Sequence, residues 1–373
     1  MKTIGIITIH KIHNYGSVLQ AYALQHICES LGYKVEIIDY CFPNSFQQNN
    51  RYYTHCDTQP NEPQRIKVLF ARALLRQHRG IDQFIDKHLH LSSQRYANPD
   101  ELVANAPLYD VYLTGSDQVW SPRHCNGDPS FLLHFAPEGK KRVSYAASIG
   151  AGIIPNELKP LYKELLSKYD YISVREDSGR GIIKELIGCD PQVVLDPTLL
   201  LDKEQWNSIA APRRLVKSKY ILCYFLNYSF NAFPYVDSLA VEIQRKTGYK
   251  IVRVARPPHH LFLNKTRYKI GASPAEFLAL IRDAEIVLTT SFHGTAFAVN
   301  YGKPLYTVVQ DCTSGDSRQV SLMRQLGLEN KVLSIADPFP EKETYNYDVA
   351  LEQERLRGLR YQSMLFLEKA LKQ

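Results

Sequence analysis

The chain has 373 residues, more than one hydrophobic core usually supports, so two domains are expected. Hydrophobic residues make up 45% and charged residues 22%, a globular composition that excludes a disordered chain. The net charge of +7 is spread out, without a block of Lys and Arg. This argues against nucleic-acid binding and suits an anionic ligand, an anionic lipid surface or ordinary surface charge.

The seven cysteines are far apart, and no two form a C-x-x-C pair. This spacing favours reduced thiols in the cytosol over a disulfide framework or a thiolate zinc site. The apolar run at the N terminus is too short for a signal peptide, and no stretch approaches the ~20 apolar residues of a membrane-spanning helix. We therefore expect a cytoplasmic protein that contacts a membrane, if at all, from its inner face.

The first forty residues predict a strand–helix–strand unit. Residues 3–9 form an apolar run typical of a strand buried in a parallel sheet. Apolar residues then recur at helical spacing over 18–27, and 34–39 predict the second strand. The polar, Asn- and Gln-rich residues 41–63 predict a surface loop, and 64–88 predict a basic helix.

The alternation of strands and helices continues along the chain. Further strands are predicted at residues 107–114, 142–147, 171–174, 192–195, 220–226, 250–254, 286–288 and 305–309. Further helices are predicted at residues 157–168, 176–187, 234–247, 274–283, 294–300, 317–326 and 352–371. The pattern predicts an α/β protein of two doubly wound, Rossmann-like domains with an interdomain cleft and a C-terminal helix.

We place the domain boundary at Asp196-Pro197-Thr198, which interrupts the alternation. The predicted domains are therefore residues 1–198 and 199–373. Ligands of doubly wound sheets bind beyond the carboxyl ends of the strands, so the cleft between the domains is the expected site.

The turn after the first predicted strand reads Asn14-Tyr15-Gly16-Ser17. A helix begins here, and its free backbone N–H groups favour an anion, while Gly16 allows close approach of a ligand. The alternative is a plain N-cap formed by Asn14 or Ser17. The segment is not a dinucleotide fingerprint, because G-x-G-x-x-G is absent.

A second candidate, Gly115-Ser116-Asp117-Gln118-Val119-Trp120, follows a predicted buried strand. Asp117 and Gln118 at the carboxyl end of a strand suit acid–base chemistry or the binding of sugar hydroxyls. The alternative is a turn in which Asp117 caps a helix and Trp120 belongs to the core.

Two arginines lie at predicted helix starts. Arg175 ends a strand, where its guanidinium could hold a carboxylate or phosphate through two hydrogen bonds. Its alternative role is an ion pair with Glu176 or Asp177. Arg318 follows the loop 314–317 and either reaches a bound ligand or is an exposed loop arginine.

The strongest candidate is Ser291-Phe292-His293-Gly294-Thr295, where a buried strand leads into a helix of small residues. His293 lies near the helix N terminus and could donate to a phosphate or shuttle a proton. Ser291 and Thr295 add hydroxyl donors, and Gly294 allows close approach. A lone histidine is more often structural, which is the alternative here.

Seven motifs lie in a characteristic order between about residues 4 and 330. They are Asn14-Tyr15-Gly16-Ser17, Leu19-Gln20-Ala21-Tyr22-Ala23-Leu24, Gly115-Ser116-Asp117-Gln118-Val119-Trp120, Ser144-Tyr145-Ala146-Ala147-Ser148, Ser173-Val174-Arg175-Glu176, Val194-Leu195-Asp196-Pro197-Thr198 and Ser291-Phe292-His293-Gly294-Thr295-Ala296-Phe297. The set resembles the polysaccharide pyruvyl transferase family. The resemblance implies a fold like that of the two-domain GT-B glycosyltransferases.

The resemblance also implies an activity. Such enzymes transfer the pyruvyl group of phosphoenolpyruvate to two hydroxyls of a sugar, forming a cyclic ketal and releasing phosphate. The sugar usually belongs to a surface polysaccharide or to its lipid-linked precursor. Residues 1–198 would then hold the acceptor, and residues 199–373 the anionic donor.

The resemblance further implies roles for individual residues. Arg175, His293 and Arg318 would bind phosphoenolpyruvate, with Asp117 as the base and His293 as a phosphate ligand and candidate acid. Further substrate contacts are expected from Asn14, Tyr15, Gly16, Ser17, Gln118, Ser291, Gly294 and Thr295. No metal or other cofactor is expected, since the arginines can neutralise the donor. Some members carry an Arg two residues before the motif histidine; Ser291 stands there, so one cation is missing or replaced by Arg318.

Two other functions fit the same residues. A GT-B glycosyltransferase that uses a nucleotide-sugar would place His293 and Arg318 on a diphosphate. A non-catalytic sugar-binding protein of a polysaccharide assembly locus would leave both arginines in structural roles. A covalent serine or thiol mechanism is not favoured, because no G-x-S-x-G or nucleophilic Cys motif is present.

Overall fold

A computed structural model describes most of the chain. The described residues are 1–41, 64–226, 230–254, 266–312 and 318–372, with the backbone alone described over 64–70. The predicted surface loop at 41–63, apart from Cys41, and the predicted loop at 314–317 lie outside them.

Thirteen strands are present in the described residues. They are β1 (Thr3–Ile7), β2 (Lys34–Tyr40), β3 (Leu91–Tyr96), β4 (Val111–Thr114), β5 (Lys141–Ser144), β6 (Ser173–Val174), β7 (Gln192–Val193), β8 (Tyr220–Tyr224), β9 (Lys250–Val254), β10 (Arg267–Tyr268), β11 (Ile286–Thr289), β12 (Leu305–Val309) and β13 (Val332–Ser334).

Twelve α-helices accompany these strands in the same part of the chain. They are α1 (Tyr15–Ser30), α2 (Gln64–His88), α3 (Pro99–Ala104), α4 (Pro122–Cys125), α5 (Lys159–Leu166), α6 (Asp177–Ile187), α7 (Lys203–Ile209), α8 (Tyr235–Thr247), α9 (Pro274–Arg282), α10 (Phe292–Asn300), α11 (Arg318–Leu326) and α12 (Ala350–Lys372). Among these described helices, none combines the length and apolar composition needed to cross a bilayer.

The strands form two parallel sheets of the Rossmann type. The first has the order β3-β2-β1-β4-β5, and the second β10-β9-β8-β11-β12-β13. A short pair, β6-β7, joins the first sheet through isolated bridges such as Ala147 to Val174. The strand order reverses between β1 and β4 and again between β8 and β11, so each sheet has a topological switch point. Ligands of such sheets usually bind at this point, where the loops diverge. The predicted fold class is confirmed.

Two helices between the sheets are buried on nearly all sides. Most residues of α1 and all nine residues of α10 are buried. Both helices bury residues on several faces, as expected for helices enclosed by other elements. They belong to one hydrophobic core that runs from β1 across to α9 and α10. The loops that precede α1 and α10 are therefore held by a rigid interior.

The last helix returns from the second half of the chain to the first. On α12, Arg360 Nε donates to the carbonyl of Leu199 at 2.7 Å, and Ser363 Oγ accepts from the amide of Leu195 at 3.0 Å. The predicted domain boundary falls beside these contacts, in the short turn Pro197–Leu199 between the two sheets. The boundary itself stays a prediction.

Candidate functional site

Loops from both sheets meet at one cluster of charged side chains. Ser17, at the start of α1, donates to Asp117, which follows β4, at 2.7 Å. Arg175, which follows β6, donates to Asp196 at 2.6 Å. His293, in the first turn of α10, has its Nε2 3.7 Å from the same Asp196 carboxylate. The cluster therefore lies at the carboxyl ends of strands from both halves, where the sequence predicted a site.

Asp196 is the centre of the cluster and is 1% exposed. Its Oδ1 accepts from the amide and hydroxyl of Thr198, at 3.0 and 2.7 Å, which fixes the turn after β7. Its Oδ2 accepts from Ser116 at 2.8 Å and from Arg175. Burial alone would raise the pKa of Asp196, but His293 and Arg175 outweigh it and hold that pKa well below its ordinary value.

The Arg175 guanidinium is buried and only partly used by the protein. Its Nη1 bonds Asp196, and its Cζ lies 4.3 Å from the centre of the Phe292 ring. Its Nη2 is 3.8 Å from Asp117 and its Nε is 4.0 Å from Glu176, and neither nitrogen has a hydrogen-bond partner in the described residues. Two charged donors of this arginine thus make no hydrogen bond in the described residues, although each lies within 4.0 Å of a carboxylate.

Asp117 is the carboxylate of the cluster that follows β4. It has a left-handed backbone with φ 74°, and its Oδ1 accepts from the amide of Gln118 at 2.9 Å. Burial alone would raise the pKa of Asp117, but the positive charges of His293 and Arg175 lower it overall. Asp117 is therefore ionised at neutral pH and can accept a hydrogen bond or a proton.

The His293 ring is held by its neighbours on two sides. Ser291 caps α10, accepting from the amide of Gly294 at 3.3 Å, and so fixes the turn that carries the histidine. Gly16 lies against the ring, and a Cβ at position 16 would overlap the imidazole. Nε2 of His293 is buried and has no hydrogen-bond partner in the described residues. It is a third polar atom without a partner in this cluster.

The contact between Gly16 and His293 gives a first prediction. We expect Gly16→Ala to displace the imidazole and lower the rate of substrate turnover by ~100-fold, since small displacements of a reacting group are costly. Gly181→Ala is the matched control, because a Cβ at that position in α6 meets open space. Steady-state kinetics of both variants test this, and equal rates for the two would contradict it.

The three cations predicted from the sequence lie together. The guanidinium carbon of Arg318, which opens α11, is 5.8 Å from the centre of the Phe292 ring on which Arg175 stacks. Arg318 also lowers the pKa of Asp117, as a minor cause after His293 and Arg175. Arg318 thus stands near the side of the site where the sequence has Ser291 in place of an arginine.

Asn14 and Tyr15 both make contacts that serve the fold, and their contacts with substrate stay predictions. The Asn14 side chain accepts from the amides of Gly16 and Ser17 at 2.8 and 3.4 Å, so the capping alternative holds for Asn14. These two amides are then not free to bind an anion. The Tyr15 hydroxyl donates to the carbonyl of Ala272 at 2.6 Å and links the two halves.

Gly294 and Thr295 also have packing roles. A Cβ at Gly294 would overlap the hydroxyl of Thr289, so glycine allows α10 to approach β11. The Thr295 hydroxyl is buried and contacts the carbonyl of Ser291 and the hydroxyl of Thr307, at 3.1 and 2.9 Å. Their role in binding substrate stays a prediction.

A family model for polysaccharide pyruvyl transferases matches residues 14–311, most of the chain. The chain belongs to that family. Membership supports a transferase of polysaccharide biosynthesis. No curated protein sequence matches it.

Solved structures resemble this chain in fold. A Listeria monocytogenes protein described as a UDP-N-acetylglucosamine 2-epimerase is 11% identical, covers 99% of this chain and 90% of its own, and gives a TM-score of 0.53. The Neisseria meningitidis UDP-GlcNAc 2-epimerase is 10% identical over 100% of both chains, with a TM-score of 0.49. Arabidopsis thaliana UGT89C1 is 12% identical over 98% and 94%, with a TM-score of 0.48. At these identities the likeness concerns the fold alone.

The cluster contains residues to which the sequence analysis gave no role in a site. Asp196 was treated as a domain break, and Glu176 as a partner of Arg175, whereas the main partner of Arg175 is Asp196. His124, on α4, is half-buried, and burial followed by the charge of Arg318 lowers its pKa to about 4. His124 is therefore neutral at neutral pH. Among the described residues, no cluster of three His, Cys, Asp or Glu side chains is arranged to hold a metal ion.

The Asp196–Arg175 pair gives a second prediction, which concerns stability. Asp196→Asn removes the nearest of the carboxylates that neutralise a buried guanidinium, so we expect it to cost about 3–5 kcal/mol at neutral pH. Because the pKa of Asp196 is lowered in the folded state, its contribution is full above the unfolded pKa of ~3.9 and is lost as pH falls. The difference between the two proteins should therefore shrink at low pH.

Urea unfolding between pH 3 and pH 7 measures this difference. Asp190→Asn is the matched control, because Asp190 is exposed and pairs with Arg180 at the surface. Such exposed pairs contribute little, so the control should unfold much as the parent does. A cost for Asp196→Asn that does not change with pH would contradict the assignment.

Proposed function

We propose that the protein transfers the pyruvyl group of phosphoenolpyruvate to two hydroxyls of one sugar, forming a cyclic ketal and releasing phosphate. The acceptor in this proposal is a sugar of a surface polysaccharide or of its lipid-linked precursor. A lipid-linked acceptor would bring the enzyme to a membrane surface as a peripheral protein.

The observation that supports the proposal best is the set of unpartnered donors. Nε and Nη2 of Arg175 and Nε2 of His293 are buried and lack hydrogen-bond partners in the described residues. A buried donor without a hydrogen bond is costly, so these groups favour an anionic ligand that supplies the missing acceptors. Phosphoenolpyruvate presents a carboxylate and a phosphate on a three-carbon frame, a size suited to donors this close together.

The carboxylates of the site make the ligand's shape more important than its charge. The negative charges of Asp196 and Asp117 lie beside Arg175 and His293, so the cluster has no large net positive charge. Binding then depends on donors directed at particular oxygens, for which the planar guanidinium is well suited. In this proposal Arg175, His293 and Arg318 meet the donor's charge, so no metal ion is required.

The proposed reaction balances in two additions. A proton is added to the methylene carbon of phosphoenolpyruvate, and the first sugar hydroxyl bonds the adjacent carbon and gives up its proton. The bond from that carbon to the phosphate oxygen then breaks, and the second hydroxyl adds there and loses its proton. One of the two hydroxyl protons is thereby balanced by the new methyl group, and the other by the hydrogen phosphate released.

Two side chains are placed for the proton transfers. We assign Asp117 as the base, because it is ionised, lies beside Gln118 and faces the cations from the acceptor side. We assign His293 to the phosphate and, as a candidate acid, to the methylene carbon. Ser17, which donates to Asp117 at 2.7 Å, fixes the carboxylate that takes the hydroxyl proton.

Thermal unfolding with added ligands tests the donor. Phosphoenolpyruvate at 100 times its dissociation constant should stabilise the protein by ~2.7 kcal/mol, and UDP or UDP-sugars should not. Stabilisation by UDP alone would favour a nucleotide-sugar glycosyltransferase instead. No response to either ligand would favour the non-catalytic sugar-binding protein.

A further inference from the structure

The segment that follows β5 passes between Asp117 and Glu176. The amide of Ser148 donates to the carbonyl of Asp117 at 3.0 Å, and the amide of Trp120 donates to the carbonyl of Ser148 at 3.2 Å. Asp117 also forms a parallel bridge with Ala147. Residues 147–148 therefore hold the backbone of Asp117, the proposed base, through contacts like those between neighbouring strands.

This arrangement has a conformational cost that other contacts must offset. Asp117 and Ala146 have φ values of 74° and 53°, in the left-handed backbone region that residues other than glycine rarely adopt. Gly150 has φ 58°, and a Cβ there would overlap the amide group of Gln118. Residues with such backbones keep one position only when their surroundings fix them.

Glu176 supplies the contacts that fix the segment. Its Oε1 accepts from the hydroxyl of Ser148 at 3.0 Å and from the amides of Ile149 and Gly150 at 2.9 and 3.2 Å. The side chain is fully buried. It occupies the N-cap position of α6 but makes no capping bond to that helix, so its hydrogen bonds in the described residues go to 148–150.

We propose that Glu176 is a positioning residue that fixes Asp117 through residues 148–150. The inference rests on the proposed function, in which Asp117 is the base. Glu176 directly follows Arg175, whose own amide donates to the carbonyl of Ala147 at 3.3 Å. The same segment therefore ties the arginine that binds the donor to the carboxylate that receives the acceptor's proton, and sets the distance between them.

Kinetics of three variants test the inference in the full-length protein. Glu176→Ala removes the common acceptor of three donors and should lower kcat by ~100-fold, a larger effect than that on the Kd for phosphoenolpyruvate. Glu176→Gln keeps an oxygen at the Oε1 position and should restore kcat to within about tenfold of the parent. Glu185→Ala, exposed on the same helix, is the control and should match the parent. An unchanged kcat in Glu176→Ala, or an equal loss in Glu176→Gln, would overturn the inference.

Hydrogen exchange gives a readout that does not depend on activity. In Glu176→Ala the backbone amides of 117–120 should exchange at least tenfold faster than in the parent, because their support is lost, while those of β8 and β11 stay unchanged. Should Glu176→Ala fail to fold, Ser148→Ala removes one of the three donors and should show the same exchange change in smaller measure. Unchanged exchange at 117–120 in a folded variant would overturn the inference, even if the parent proved to transfer no pyruvyl group.

Discussion

Arg175→Lys is expected to lower kcat/KM for phosphoenolpyruvate by ~10²–10³-fold while the protein keeps its fold. Lysine keeps a positive charge beside Asp196. It lacks the planar guanidinium, in which Nη1 bonds Asp196 while Nε and Nη2 are proposed to bind the ligand. Phosphate release under steady-state conditions measures the rate, and circular dichroism measures the melting of each variant. Lysine is the better probe than alanine, because Arg175→Ala would leave buried carboxylates uncompensated at a cost of about 3–5 kcal/mol.

The same substitution at the surface provides the control. Arg180 holds Asp190 through two hydrogen bonds of 2.7 and 2.8 Å on the exposed side of α6. Arg180→Lys should leave both rate and stability close to those of the parent, since exposed pairs contribute little. Full activity in Arg175→Lys would show that the guanidinium of Arg175 does not bind the donor.

His293→Ala is expected to lower kcat by ~10²–10⁴-fold and to weaken the binding of phosphoenolpyruvate. The reason is that the imidazole supplies both a donor for the phosphate and, in the proposed chemistry, the proton for the methylene carbon. Single-turnover measurements separate the chemical step from binding, and calorimetry gives the dissociation constant. Loss of binding with an unchanged chemical step would limit His293 to the role of a phosphate ligand.

His90→Ala is the control for that substitution. His90 is exposed and pairs with Glu29 at 2.7 Å, remote in sequence from the cluster. We expect its kinetics to match the parent's. Equal losses in the two variants would mean that the effect of His293→Ala is general destabilisation.

The central strands could be predicted because both of their faces are buried. The strands β9 and β12 lie inside the second sheet and consist mainly of apolar residues, and their predicted bounds match the structure. The edge strands β3, β10 and β13 were not predicted. β3 reads LSSQRY with half of its residues exposed, so neither an apolar run nor a regular alternation marks it.

The site could be predicted only in part, for a related reason. Asp117, Arg175 and His293 stand at strand ends, where topology brings side chains together, and their chemistry is recognisable in the sequence. In the sequence, Asp-Pro-Thr is typical of a capping turn, so Asp196 was interpreted only as part of the domain boundary. The fold shows that its second carboxylate oxygen accepts a hydrogen bond from Arg175. Tyr15 shows what the sequence could not reveal: its hydroxyl donates to the carbonyl of Ala272 and links the two halves, while its contact with substrate stays a prediction.

The most direct test is transfer from phosphoenolpyruvate labelled with ¹³C at the carbon that carries the phosphate. The labelled donor is incubated with the protein and a sugar or lipid-linked saccharide acceptor, and the product is followed by NMR. We predict that the label appears as a ketal carbon bonded to two oxygens of one sugar, with one phosphate released for each ketal formed. Phosphate release that yields free pyruvate, or transfer of a sugar from a nucleotide with no ketal, would contradict the account.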